Sequence, residues 1–173
     1  MFFTQNSALV IIDSQLAYRN VQNFSSYQKN IKKLLKMARH EKIPIIHVYE
    51  KDELGKSKWI PFWEELHGQK RKLDQGIPLP CSTPREDETV IIKNGYDAFY
   101  QTNLEAVLKK YKIKTVYFSG LLTGVCVLST VMSAFNHGFR NILIENCCSD
   151  RLKTRHQMTI QYYKNYLFKL VSI

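Results

Sequence analysis

Thr115-Val-Tyr-Phe-Ser-Gly120-Leu-Leu-Thr-Gly-Val-Cys126-Val-Leu-Ser-Thr-Val-Met-Ser-Ala134 is the stretch that decides the fold. Its first part is apolar, β-branched and aromatic and stops at Gly120, which reads as a buried strand. Thr123-Gly124 marks a turn, and a helical pattern begins near Val125. Strand, tight turn and helix together form one arm of a parallel α/β sheet, with Cys126 in the first helical turn. Unpaired backbone N–H groups and the positive end of the helix dipole gather there, and both favour a thiolate. A sulfur so placed becomes a nucleophile only beside a base and a positive charge, which must come from elsewhere in the chain.

Outward from this arm the same alternation recurs. Ala8-Leu-Val-Ile-Ile-Asp13 is the first strand, and Ile31, Leu34, Leu35 and Ala38 recur at helical spacing between Tyr27 and Glu41. Ile43 to Tyr49 is the second strand, with Pro44 at its start, where no ladder donor is lost. Thr89 to Lys93 is the third strand. A helix then opens at Thr102, where Thr102-Asn-Leu-Glu105 spells a capping box. Thr115 to Ser119 is the fourth strand, and the helix after Cys126 runs to near Gly138. Asn141 to Glu145 is the fifth strand, residues 153–165 a further helix, and Leu167 to Ile173 a terminal strand. Six strands with intervening helices predict one domain over residues 1–173, a three-layer α/β/α fold around a doubly wound, six-stranded parallel sheet.

Regularity fades between Glu50 and Glu88, a stretch too long to be an idle connection. Its Trp59, Phe62 and Trp63 suit either one helical turn packed on the core or a pocket wall, the core being the favoured place.

Composition narrows the function classes. Apolar residues make up 45% of the 173 and charged residues 23%, a globular balance that excludes disorder. Lys and Arg number 25 against 15 Asp and Glu, giving +10. Such a surplus suits nucleic acid or an anionic ligand. The basic residues are scattered, however: Lys29, Lys32, Lys33 and Lys36, then Lys109, Lys110, Lys112 and Lys114, then Lys153 and Arg155. Most fall at polar positions of helices or helix ends, so a solvated surface is expected rather than a nucleic-acid partner. No apolar run approaches the length of a membrane span, and the first residues lack the basic and apolar regions of a secretory leader. A cytoplasmic protein is expected. Cys81, Cys126, Cys147 and Cys148 form no CxxC pair, so free thiols rather than zinc or disulfides are expected.

In doubly wound sheets ligands bind beyond the carboxyl ends of the strands. Asp13 ends the first strand, Lys93 ends the third, and Cys126 follows the fourth. In the usual strand order the first and fourth are neighbours at the switch point, and Lys93 is long enough to reach in from farther away. Each residue has an ordinary reading by itself: a turn cap, a solvated strand end, a small buried hydrophobe. Together at one sheet edge they supply a base, a fixed positive charge and a nucleophile. Gln15, Tyr18, Tyr96 and Phe99 flank these strand ends and are the candidate substrate-binding residues, since aromatic rings there suit a small planar molecule.

These pieces resemble the isochorismatase-like cysteine hydrolase superfamily, which includes nicotinamidases, N-carbamoylsarcosine amidases and ureidoacrylate hydrolases. The resemblance rests on Ala8-Leu-Val-Ile-Ile-Asp13-Ser-Gln15, on Val90-Ile-Ile-Lys93-Asn-Gly-Tyr-Asp-Ala-Phe99, and on Gly120-Leu-Leu-Thr-Gly-Val-Cys126-Val-Leu-Ser-Thr130. With Asn103-Leu-Glu105 and the Glu145 to Cys148 stretch it spans essentially the whole chain. It implies Cys126 as the nucleophile on an amide-type carbonyl, Asp13 as general base and acid, and Lys93 as electrostatic stabiliser. It also implies a cis peptide at Leu121–Leu122, with the N–H groups of Leu122 and Cys126 aimed at the developing oxyanion.

One branch of the superfamily hydrolyses a vinyl ether and lacks the cysteine; this sequence has it, which points to thioester chemistry on C–N bonds. Nicotinamidases carry an Asp-x-His pair after the second strand that helps to bind a metal. Here the stretch is Tyr49-Glu-Lys-Asp52-Glu-Leu54, with leucine in the histidine's place, so neither metal nor other cofactor is expected. The partners expected are a small-molecule substrate and further copies of the chain, since members are commonly dimers or tetramers. Two alternatives stand beside this reading: a nicotinamidase-type amidase, or a catalytically weak binding or scaffold member of the same fold.

Overall fold

Strand β1, Ser7–Ile12, is buried at every residue, as a central strand covered on both faces must be. In the computed structural model, which describes residues 1–51, 57–72 and 75–173, it lies in the middle of a parallel sheet. The other strands are β2 (Ile45–Glu50), β3 (Thr89–Lys93), β4 (Thr115–Leu121), β5 (Arg140–Ser149) and β6 (Lys169–Val171), in the order β3-β2-β1-β4-β5-β6. Every neighbouring pair is parallel. The order reverses between β1 and β4, and that is where a crevice opens in this architecture.

The layers follow from which side chains the pleat sends to each face. Leu9 and Ile11 of β1 meet Tyr27, Ile31, Leu34, Leu35 and Ala38 of α1, Phe24–His40. These five helix positions are four, three, one and three residues apart, one apolar stripe of an α-helix. Ala8, Val10 and Ile12 face the other way, onto Leu104 and Leu108 of α3 (Leu104–Lys110), Val131 and Ala134 of α4 (Leu128–Asn136), and Ile160 of α5 (Lys153–Tyr163). Helix α2, Ile60–His67, buries no residue fully and sits above the strand ends.

Three local features depart from the sequence pattern. Strand β5 runs on to Ser149 rather than ending at Glu145, because β4 extends to Leu121 and offers ladder partners, Gly120 to Cys148 and Leu121 to Ser149. The capping box at α3 is only half built. Thr102 accepts from Leu104 N–H at 3.2 Å, but Glu105 turns to Lys109 at 2.6 Å instead of reaching back. The terminal strand is confined to three residues.

Gly120 is required by contact as well as by conformation. Its φ is +128°, and a Cβ there would overlap the carbonyl oxygen of Ile12. Only glycine lets β4 press so closely on the end of β1. That approach brings the turn carrying Cys126 against Asp13.

Candidate active site

Asp13 is the first residue beyond β1 and adopts left-handed backbone, φ +48°, a conformation that Asp tolerates better than most side chains. Its N–H donates to Val48 O at 2.8 Å, which fixes the backbone against β2. Its Oδ1 accepts the Glu50 N–H at 3.0 Å, and its Oδ2 lies 2.8 Å from Lys93 Nζ. Lys93 ends the edge strand β3, so its side chain reaches across β2 to make this pair. It also donates to Gly95 O at 2.7 Å. Both side chains are fully buried, and Cys126 is buried near enough for the Asp13 carboxylate and the Lys93 ammonium to shift its thiol. The three residues singled out in the sequence thus meet at one place.

Cys126 does not stand in the first turn of α4. It belongs to a wide, π-type turn over Thr123–Val127, with α4 starting at Leu128. The Leu121–Leu122 peptide that leads into the turn is cis. Leu122 N–H meets no acceptor among the described residues, which leaves it available to a bound group.

The charges differ from those expected of a helix-terminal thiolate. Burial pushes the Cys126 thiol well above its ordinary value; Lys93 pulls it back, while Asp13 and Glu50 push it further up. Burial likewise raises Asp13 against the opposing pull of Lys93 and of its hydrogen bonds. Lys93 is disfavoured by burial, but Asp13, Cys126 and Glu50 more than compensate and hold it protonated. The Cys126 thiol is therefore neutral at rest, beside a carboxylate whose charge the buried ammonium favours against burial. Desolvation overrides the helix dipole here because the residue is withdrawn from solvent, being 1% exposed.

Above the three residues lies a cleft of about 760 Å³, with Tyr18, Trp63, Tyr96, Leu122, Val125 and Cys126 in its walls. Tyr18 and Tyr96 are therefore placed where the sequence put them. Gln15 and Phe99 are not in the cleft wall. Gln15 is fully buried and clamps the backbone of Glu50, donating to its carbonyl and accepting its N–H, both at 2.9 Å. Phe99 stacks on His137 and packs with the core. Trp63 is a wall residue and Phe62 is exposed, so the aromatic cluster is not core; Trp59 backs Tyr96 with ring centroids 5.1 Å apart.

Sequence reasoning missed Glu50 and Arg71. Glu50 is fully buried, takes the Tyr18 hydroxyl on its carboxylate, and pairs with Arg71 at 2.8 Å. Arg71 lies over the Trp59 and Trp63 rings, 4.7 and 5.4 Å from their centroids. A charged residue ending an apolar strand was the signal used for Asp13, and it applies equally to Glu50. Arg71 sits among Gln69, Lys70 and Lys72 with no local pattern, and only the folded wall singles it out.

Leu54, which stands in the place of a metal-binding histidine, lies outside the described residues, as does Asp52. His47 is buried and bonded to Glu88 at 2.9 Å, and His67 stacks on Trp63. Among the described residues no three of His, Cys, Asp or Glu are grouped to hold a metal ion, and no helix is long and apolar enough to cross a membrane.

Comparison with known proteins agrees with this fold. The chain is 30% identical over 158 residues to a secreted isochorismatase effector of Verticillium dahliae, covering 86% of this chain and 75% of that protein. It is 26% identical over 170 residues to ureidoacrylate amidohydrolase of Agrobacterium fabrum, covering 81% and 74%. The solved structure of an isochorismatase family protein from Burkholderia thailandensis superposes with a TM-score of 0.83 at 18% identity, over 98% of this chain and 93% of that one, a likeness of fold. A family model described as the isochorismatase domain matches residues 7–173, the whole sheet with every strand end that carries the site. By sequence and by fold, the chain belongs to the isochorismatase family.

Proposed function

We propose that this hydrolase cleaves a C–N bond in a small amide, ureide or carbamoyl-type substrate through a thioester, and that the substrate carries a negative charge. One observation carries the reading: a buried cysteine thiol stands beside a carboxylate that is itself paired at 2.8 Å with a buried lysine, at the base of a cleft. A relative named for an amide substrate, the ureidoacrylate amidohydrolase, supports the bond type.

The chemistry follows from the proton positions. Asp13 takes the thiol proton as Cys126 Sγ attacks the carbonyl carbon, so no free thiolate has to exist beforehand. Lys93 keeps Asp13 ionised until that moment and offsets the charge afterwards. The N–H groups of Leu122 and Cys126 receive the oxyanion. As it collapses, the C–N bond breaks and Asp13 returns its proton to the leaving nitrogen. A water then attacks the thioester, giving one proton to Asp13 and its hydroxyl to the acyl carbon. The acid leaves, and the proton returns to Sγ. The sum is amide plus water to acid plus amine.

The charge on the substrate is read from the walls. Lys70, Arg71, Lys72, Arg151 and Arg155 line the cleft and, among the described residues, no Asp or Glu does. Lys70 is paired with Glu64, Arg71 with Glu50 and Arg155 with Asp150. Lys72 and Arg151 have no acidic partner among the described residues, which leaves a positive potential at the mouth.

The test is ammonia release from a panel of ureides, carbamoyl amino acids, aliphatic amides and nicotinamide, each acid presented also as its methyl ester. Release should be greatest with a free acid and absent in Cys126→Ala. Equal release by Cys126→Ala, or none from any member by wild type, rejects the reading.

A further inference from the structure

Asp150 is a buried acid to which the chemistry above gives no part. It follows β5 directly, and because Leu121 pairs with Ser149 it stands beside Leu122. Its side chain is fully buried, and its oxygens are committed in two directions. Toward the catalytic turn, Oδ2 accepts the Gly124 N–H at 2.9 Å. Toward α5, Oδ1 accepts the Leu152 N–H at 3.3 Å, and both oxygens are gripped by Arg155, whose Nε lies 2.9 and 3.0 Å from them.

Two further contacts tie the same turn to α5. Thr123 Oγ1 lies 2.8 Å from His156 Nδ1. Gly124 lies so close that a Cβ would come within 2.6 Å of Arg155 Cγ and 2.8 Å of Thr159 Oγ1. The turn residue between the two proposed oxyanion donors is therefore held by its own N–H, its neighbour's hydroxyl and its bare Cα.

We propose that Asp150 is a positioning residue: by tethering Gly124 N–H to the start of α5, with Arg155 as its counter-ion, it fixes the turn so that Leu122 and Cys126 N–H groups converge on one point. The inference rests on the hydrolase reading above. The physical reason is that an oxyanion site works only when its donors are aligned before the charge develops. Inside the turn Leu122 O takes the N–H groups of Val125 and Val127, whereas Gly124 N–H is held from outside, by Asp150 alone. A charged acceptor is the strong choice, and Arg155 makes the charge tolerable in a buried place.

A merely structural acid would affect stability and nothing else, so the test separates thiol reactivity from oxyanion stabilisation. Asp150→Asn should lower kcat about tenfold or more while KM for an uncharged substrate changes little, since aligned donors act in the transition state. Alkylation of Cys126 by iodoacetamide, which develops no oxyanion, should stay within about twofold of wild type because Asp13 and Lys93 are untouched. Arg155→Lys, which keeps the charge and loses the fork, should fall between the two in kcat. Hydrogen exchange over residues 121–127 should quicken in Asp150→Asn while residues 8–13 and 89–93 stay protected, and this can be read whether or not a substrate is known.

Unchanged kcat, or kcat and alkylation falling together, overturns the inference, as does unchanged exchange at 121–127. Failure of the hydrolase reading looks different: wild type itself shows no Cys126-dependent turnover, and the exchange measurement then decides the tether alone.

Discussion

A cysteine that is 1% exposed and pushed upward by burial is a poor nucleophile until its proton has somewhere to go. In the proposed mechanism Asp13 is that place, and Lys93 is what lets a buried carboxylate serve as a base. Asp13→Asn keeps the shape but cannot take the proton, so acylation should slow by about 10²–10⁴-fold. Because the residues act as a unit, the double variant Asp13→Asn with Cys126→Ala should cost little beyond Cys126→Ala alone, as single-turnover rates would show. Additive losses would mean two separate functions. Since Asp13 must be ionised and burial raises its pKa, kcat/KM should fall on the acid side along a limb set above the ordinary carboxylate range. Lys93→Met removes the cation that restrains both pKa values, so Cys126 alkylation by iodoacetamide should slow markedly across the neutral range. An unchanged rate would show that the ammonium does not govern the thiol.

At the scale of elements, the strand ends hold the site because neighbouring backbones are locked. Gly120→Ala would drive a methyl group into the Ile12 carbonyl at a positive φ, a backbone clash that no side-chain movement relieves. A loss of about 4 kcal/mol or more in urea unfolding is expected, the range reserved for such clashes. A second lock joins α1, β2 and the approach to β3: Glu88 accepts from Arg39 Nε at 2.7 Å and from Arg85 N–H at 3.0 Å, and meets His47 at 2.9 Å. Burial opposes its charge, yet these partners outweigh it and hold the carboxyl at about 2, below its usual 4.5. A depressed carboxylate contributes stability that is whole above pH 4.5 and lost as pH falls toward 2. Glu88→Gln should therefore flatten the fall of Tm over that window; an identical slope would deny Glu88 the role. Periodicity revealed these elements because each buries a regular face. It misplaced the end of β5, since the residues after Glu145 are polar or small and pair only because β4 lies alongside. It also gave Cys126 to an α-helical turn, since a π-type turn has no sequence period of its own. Gln15 was misjudged for a related reason: adjacency to Asp13 in sequence put it at the site, while the left-handed step at Asp13 turned it toward the backbone of Glu50.

Over the whole molecule the surplus of ten positive charges is not spread evenly in its consequences. Scattered lysines on α1 and α3 look alike in sequence to the basic residues at 70–72, 151 and 155, and only folding gathers the latter around one cleft. That is why an anionic ligand at the site was not legible in the sequence, although Asp13, Lys93 and Cys126 were. Compensation then sorts the gathered charges: Glu50, Glu64 and Asp150 neutralise three, and Lys72 and Arg151 remain to act at a distance. Arg151 also lies 5.9 Å from the Tyr18 ring centroid, a contact that holds its guanidinium over the wall. Exposed charges of this kind are screened within about 8–10 Å at physiological ionic strength. For a carboxylate-bearing substrate, KM should therefore rise with salt while kcat holds, and for its methyl ester neither should move. Arg151→Gln should raise KM for the acid severalfold and weaken its salt dependence, leaving the ester unaffected. If the acid and the ester respond alike to salt and to Arg151→Gln, the positive rim serves the protein's surface and not its substrate.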